Sequence, residues 1–205
     1  SHLYWEQGTV EDTAELQVYH DHWLRMETRR ERPDGTPEVD MNDCLKSSLR
    51  MRPDRIIVGE VRSSEAATLL TAMNTGHDGS FGSLHANTAM ETITRMVNPP
   101  MSVPPIMLTG LDLIIIQARL QVNGKTVRKI TEVAEVAGME GDKPRLNAIW
   151  KYNAATDNIE ETGIPSKMRE TICTAAGISP AQFEQHVKQR AVSYTHLTLP
   201  TIVGV

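Results

Sequence analysis

The hydrophobic pattern of the chain falls into two regimes separated by a proline-rich segment, NPPMSVPP at residues 98–105. Before it, short apolar runs alternate with amphipathic stretches. Thr9 and Val10 read as the end of a strand that opens into an acidic loop, EDTAEL, and the stretch HDHWLRMETRRERPDG, which has no sustained period, reads as an exposed loop or edge hairpin. Asp40 is placed to cap a helix whose apolar face carries Met41, Cys44, Leu45 and Leu49, and Pro53 ends that helix before the next strand. That strand, RIIVG from Arg55, has the apolar run of a strand covered on both faces in a parallel sheet. It stops at Gly59 and hands over at once to Glu60 and Arg62. A second helix comes next, capped by Ser63 or Ser64, with Glu65 in its first turn, Ala66, Leu69, Leu70 and Met73 along one face and Gly76 at its end. GSFGSL adds a strand that runs into His85, after which Thr88 and Glu91 have capping-box spacing. Strand and helix in alternation predict an α/β fold.

Beyond the prolines the period changes to two. LIIIQARLQV and KTVRKITEVAEV flank Asn123-Gly124, a strong hairpin signal, and the second arm alternates through Val127, Val133 and Val136. RLNAIWKY adds a third strand with Leu146, Ala148, Trp150 and Tyr152 on one face, so the pattern predicts an antiparallel meander that extends the parallel sheet. The chain then turns helical, first over Ser166–Ala176 and then from Ser179-Pro180-Ala181-Gln182, which combines an N-cap serine, proline at the first helical position and a reciprocal glutamine. Phe183 and Val187 give this last helix an apolar stripe suited to local packing. From Ser193 the sequence SYTHLTLPTIVGV does not continue the helical pattern. The expected organisation is therefore a core over residues 9–164, a helical segment over 165–192, a non-native tail over 193–205, and an opening stretch, 1–8, of uncertain origin.

Composition narrows the function classes. With 40% hydrophobic and 23% charged residues and a net charge of -5, the chain offers no basic field, and direct binding to nucleic acid is not expected. Cys44 and Cys173 lie far apart without metal spacing, which fits idle thiols in a reducing, cytosolic compartment. The longest apolar run, LDLIIIQA, is far short of the roughly 18 residues of a spanning helix, so any membrane contact is expected to be peripheral.

Candidate chemistry gathers where strands end. Glu60 stands at the carboxyl end of a buried strand, where ligands of open α/β sheets bind, although a carboxylate there also suits the start of a helix. Three further clusters join it: Glu11, Asp12 and Glu15; the arginines Arg29 and Arg30 with Arg50, Arg52 and Arg55; and His77 with His85. Each alone also fits a solvated loop, a solvated face or a structural histidine. Carboxylates and cations meeting at strand ends match what phosphoryl transfer requires, acids to hold Mg²⁺ or orient water and cations such as Arg62 to stabilise charge on the phosphoryl oxygens. A metallohydrolase pair of His77 and His85 is disfavoured, because the two are separated by a glycine-rich loop rather than one helical turn.

Three segments carry a family resemblance. VEDTAEL resembles the aspartate box, LRMRPDRIIVGEVR the Walker B segment and NTGHDGSFGSLHANT the histidine box of the secretion-type ATPases that drive type II and type IV secretion, type IV pili and the archaellum. They occur in the family's order, the resemblance runs from about Val10 to Arg190, and NPPMSVPP resembles the archaeal branch, the archaellum and archaeal pilus motors. The resemblance implies a RecA-like core and a cytoplasmic homo-hexamer that binds ATP and Mg²⁺ at the inner face of the membrane, working on a polytopic membrane platform protein. It implies that Glu60 polarises the attacking water or supports Mg²⁺, with Glu11 and Asp12 as aspartate-box acids, Glu60 and Glu11 reaching the metal through water, and His85 facing the γ-phosphate. Glu15 and Arg62 would complete the nucleotide surroundings, Arg29 would reach a phosphate across a subunit boundary, and His77 would stabilise its loop beside the nucleotide.

The family's GxxxxGK[ST] loop does not occur in the sequence. Backbone amides and a lysine at a helix amino end do most of the phosphate holding, so this chain alone is expected to bind ATP weakly and to be part of a longer motor. The alternative is a non-catalytic subunit that keeps the fold as a ring-building or docking module.

Overall fold

The computed structural model describes residues 6–122 and 124–196 and, within its last helix, side chains as far as Arg190. Among the described residues the chain divides after Ile164 into two units. The first holds two four-stranded sheets. Strands β1 (Gln7–Glu11), β2 (Trp23–Glu27), β3 (Arg55–Val58) and β4 (Phe81–Gly82) form a parallel sheet in the order β2-β1-β3-β4. β1 begins inside the stretch set apart as uncertain, pairing Gln7 with both Trp23 and Arg55. The arginine-rich segment is not wholly loop: its first part is the parallel edge strand β2, and an antiparallel bridge between Arg29 and Val39 closes the loop after that strand. The sequence hid β2 because an edge strand needs only a half-buried face, and its arginine and glutamate tolerate that edge.

Three helices cover the parallel sheet's connections. α1 (Met41–Arg50) starts from a complete capping box in which Asp40 and Asp43 exchange bonds through their backbone amides. α2 (Glu65–Asn74) buries Ala66, Leu69 and Leu70 as its pattern predicts, yet Ser64 at its N-cap makes no side-chain cap bond. α3 (Ala89–Val97) is capped by Thr88, while Glu91 turns back to Asn87 rather than to the capping residue. A short 3₁₀ turn, Pro105–Gly110, comes after the proline segment.

The meander forms a sheet of its own rather than extending the first: β5 (Leu113–Val122), β6 (Lys125–Glu140), β7 (Lys143–Asn153) and β8 (Asn158–Glu161) pair antiparallel in sequence order. The β5–β6 register closes at Val122↔Lys125, as a two-residue hairpin requires, and Asn123 itself lies outside the described residues. Bulges between Ile116 and Gln117 and again along β6 let the strands twist over the core. One hydrophobic cluster joins the two sheets, with Val10, Leu45, Ile56, Val58 and Leu70 of the parallel layer packed with Ile114, Ile116, Ala134 and Val136 of the meander. Each of the buried Val, Leu and Ile side chains contributes about 1.5–3 kcal/mol through burial. This rigid layer is the platform from which the loops at the strand ends project.

The second unit is a helical pair. Ser166 caps α4 (Lys167–Ala176), Gly177 ends it in the left-handed conformation, and the expected Ser179–Gln182 reciprocal cap opens α5 (Pro180–His196). α5 runs through His196, so the first residues of the expected tail continue the helix; residues 197–205 lie outside the described residues.

Candidate functional site

Because β1 and β3 are parallel neighbours, their carboxyl ends deliver the two acidic loops side by side. Glu11, the last residue of β1, is 3% exposed. Its Oε1 accepts the backbone amides of Glu15, at 3.0 Å, and Leu16, at 2.8 Å, and so ties down the acidic loop. Its Oε2 is buried without a hydrogen bond and faces the Arg25 guanidinium at 3.8 Å. Asp12 is exposed, and its Oδ1 accepts the Thr28 hydroxyl at 2.6 Å.

Glu60 comes after β3, across Gly59. Gly59 donates its amide to Val10 and accepts the Ser83 hydroxyl, and Val61 donates to Ser83 at 2.7 Å, so the turn is stitched to its neighbours on both sides. A Cβ at Gly59 would meet Glu11 Cγ at 3.0 Å, which explains why the smallest residue separates the strand from the acid. The Glu60 carboxylate accepts a short hydrogen bond from Arg62 Nη2 at Oε2, and His85 Nε2 lies 3.2 Å from Oε1. The Arg62 guanidinium holds the Glu60 carboxyl below its ordinary range, with His85 adding to the effect and burial and Asp12 opposing it. His85 is itself 88% exposed at its side chain, projecting from the loop after β4 toward solvent. α3 begins just after that loop and is anchored to the meander, since Glu132 accepts the Ala89 amide at 2.8 Å.

Two small clefts of about 180 and 350 Å³ share Asp12, Glu60 and Arg62; the smaller also reaches Glu11 and Glu15. The structure thus brings together Glu11, Asp12, Glu15, Glu60, Arg62 and His85. His77 and Arg29 lie outside this cluster within the single chain, and the contact expected of Arg29 is one between subunits. His77 sits before β4, at the amino ends of the strands, and donates from Nδ1 to the Pro53 carbonyl at 2.7 Å. It therefore serves its loop and not a ligand beside Glu60. Arg29 donates from Nη2 to the Pro37 carbonyl at 3.1 Å, within its own hairpin. Arg25 and Thr28 join the site without a signal in the sequence, because each meets its partner only through packing of separate segments; Glu65, legible as a first-turn acid, instead turns back to the amides of Arg62 and Ser63.

The donor set fits Mg²⁺ in one way only. Among the described residues no group of three or more His, Cys, Asp or Glu is arranged to hold an ion, and Glu60 already has partners at both oxygens. The remaining donors, two adjacent carboxylates with one unbonded oxygen on Glu11, fit an ion that keeps most of its waters and takes its other ligands from phosphate. Among the described residues no helix is long and apolar enough to cross a membrane.

Comparison with known proteins agrees with this architecture. The chain is 35% identical to an uncharacterized protein of Methanocaldococcus jannaschii over 89% of its length and 68% of that protein's. It is 48% identical to a putative conjugal transfer protein of Mycobacterium tuberculosis over 71% of its length and 42% of that protein's. Among solved structures it is similar to the VirB11 ATPase of the Brucella suis type IV secretion system, solved in complex with sulphate, with 28% identity, a TM-score of 0.51 and coverage of 64% of this chain and 40% of that one. The Legionella pneumophila ATPase DotB shares the fold, with a TM-score of 0.50 at 23% identity. The mixed α/β architecture of the chain is that of the RecA-like core of these structures. The sequence matches the family described as type II/IV secretion system protein over residues 6–200, and the chain belongs to that family.

Proposed function

We propose that this chain supplies the hydrolytic half of the nucleotide site of a secretion-type ATPase, with the phosphate-holding half contributed by a GxxxxGK[ST] segment that is not among these residues. The observation that carries the reading is the convergence on Glu60: Arg62 on one oxygen, His85 at 3.2 Å from the other, and Asp12 and Glu11 on the adjoining strand end. In this reading Mg²⁺ and the nucleotide phosphates supply charge neutralisation and in-line geometry. Glu60 orients the attacking water, His85 donates or accepts one hydrogen bond at the γ-phosphate side, and Glu11 holds the acidic loop and meets the metal through water. Arg62 keeps Glu60 ionised, ready to accept a bond from water rather than to donate one.

The reading extends to a homo-hexameric motor at the cytoplasmic face of the membrane, pushing on a polytopic platform protein. Its cargo would be a secretion or conjugation substrate, a type IV pilus or an archaellum. The putative conjugal transfer relative supports the conjugation end of this range.

Substituting Glu60 in the complete motor tests the reading. Glu60→Gln should leave nucleotide binding intact and lower kcat by about 10²-fold or more with little change in KM, since the lost group acts on the transition state. The present chain alone should show no turnover. Turnover by it that disappears in Glu60→Gln would show that the site is complete within these residues, and full turnover by the Glu60→Gln motor would refute the role given to Glu60.

A further inference from the structure

The turn between β3 and α2 contains an unexpected construction. Ser64 holds the N-cap position of α2 but has helical backbone angles and makes no side-chain cap bond. The capping work passes to the next residue. Glu65, the first residue of the helix and only 5% exposed, folds its side chain backward, and one oxygen, Oε1, accepts the backbone amides of both Arg62 and Ser63, the latter at 2.8 Å. Neither amide belongs to the helix. An acid that merely complemented the helix dipole would need no such bonds, and would gain nothing from being buried. Here a buried carboxylate serves the two residues that come after the Glu60–Val61 step.

The backbone is already fixed immediately on both sides of Glu60: before it Gly59 donates to Val10 at 2.8 Å, and after it Val61 donates to Ser83 at 2.7 Å. On the carboxyl side the bonds from Arg62 and Ser63 to Glu65 continue that restraint. The Arg62 side chain is itself 64% exposed, so side-chain packing does little to place its guanidinium. Its direction depends on where its backbone is held. The groups around Glu60 are Arg62 and His85 on its two oxygens and Asp12 across the cleft.

We infer that Glu65 is a positioning residue for Glu60: its buried carboxylate fixes the backbone of Arg62, and through the Arg62 guanidinium it aims the Glu60 carboxylate at the cleft it shares with Asp12. The inference rests on reading Glu60 as the group that acts on water, and it adds that the acid is aimed by the first residue of the following helix. Glu65 lines the larger cleft beside Glu60 and Arg62, but its bonded oxygen is spent on the two backbone amides, so it acts on Glu60 through Arg62.

Two conservative substitutions separate this role from an ordinary helix-start acid. Glu65→Gln keeps the length and the acceptor oxygen but loses the charge, whereas Glu65→Asp keeps the charge and loses the reach. The measurement uses the present chain, ¹⁵N-labelled, and tracks hydrogen exchange of the Arg62 and Ser63 amides together with the Arg62 guanidinium resonances. In Glu65→Gln the two amides should exchange as in the parent chain and the Arg62 signals should keep their positions. In Glu65→Asp the amides should exchange about tenfold faster, the scale of one lost hydrogen bond, and the Arg62 signals should move to those of a freely rotating side chain. Any other order, including equal behaviour of the two variants or better retention in Glu65→Asp, overturns the inference. Because no turnover is measured, the result stands apart from the Glu60→Gln test of function.

Discussion

Two histidines in one glycine-rich segment end up at opposite ends of the parallel sheet, and the ends use them differently. At the amino ends, His77 donates to the carbonyl of buried Pro53, and Ser80 links the same loop to Ile56 through its hydroxyl. Every partner there is backbone, and the loop is closed around its own chain. At the carboxyl ends, beyond β4, His85 is exposed and its partner is the side chain of Glu60, which shares a cleft with Asp12. Backbone partners satisfy a polar group and leave it nothing to do; side-chain partners in an open cleft leave capacity for a ligand. The same contrast separates the two acids of the site. Glu11 is buried with one oxygen committed to backbone amides and only the other, facing Arg25, left unbonded, whereas Glu60 stands in the cleft on side chains.

The sharpest way to break this comparison is to exchange function for stability at the two histidines. In the complete motor His85→Ala should lower turnover, though by less than Glu60→Gln, because one hydrogen bond is lost rather than the group that orients water. Its exposure means that the unfolding midpoint of the chain should hardly change. His77→Ala should do the reverse, lowering stability by about 1 kcal/mol, the net worth of one hydrogen bond, with turnover retained. Thermal unfolding and steady-state hydrolysis on the same two variants read both axes. If His77→Ala abolished turnover at unchanged stability, the two ends would not differ as described.

Glu11 sharpens the comparison between the acids. Removing its carboxylate in Glu11→Ala leaves the Glu15 and Leu16 amides without their acceptor and the Arg25 guanidinium without its anion. The expected loss is about 1–3 kcal/mol, measurable by denaturant unfolding of the chain, whereas Glu60→Ala should fall within about 0.5 kcal/mol of the parent. Equal losses would mean that Glu60 is as much a structural acid as Glu11.

Much of this organisation is legible in the sequence, for a physical reason. β1, β3, α1 and α2 are central elements whose periodic burial is written locally, as is the cap of α1, and the meander carries its own hairpin signal. The hidden elements are set by contacts between segments distant along the chain. β2 pairs with β1 through an edge that composition disguises, and β8 is a short polar strand, NIEE, that exists because β7 offers it a register, whereas β4 falls within the expected GSFGSL strand but is only two residues long. The site divides in the same way. Glu60, Glu11, Asp12 and His85 are read from strand ends and a family resemblance. Arg25 and Thr28 escape that reading, and Glu65 is read only as a first-turn acid, because an ion pair, a hydroxyl bond and a backward-folded cap announce nothing in spacing. His77 bonds within its own loop, as the resemblance implies, but the sequence shows only that the segment has two histidines and not which end of the strand each will occupy.

The smallest expected effect is a pH dependence that reports whether Glu60 is held as described. Arg62 lowers the Glu60 carboxyl from its ordinary value of 4.5, with His85 in support and Asp12 opposed. A group whose folded pKa is depressed adds stability that is fully present above the unfolded value and is lost as pH falls through the folded one. The Glu60 contribution should therefore be constant from neutral pH down to about 5, shrink below about 4.5 and disappear once the folded carboxyl is protonated. Asp157, Glu91 and Glu160 are also lowered by their hydrogen bonds, so the acid limb of the parent chain alone cannot isolate it. The difference between the parent and Glu60→Gln does, because those groups are common to both. Unfolding midpoints taken from about pH 7 to about pH 3 should give a small difference favouring the parent at neutral pH that closes on acidification. The difference should be small because the Arg62 side of the pair is open to solvent and screened by salt. A difference that widened toward acid would mean that Glu60 is more easily protonated in the folded chain than in the unfolded one, and that Arg62 does not hold it.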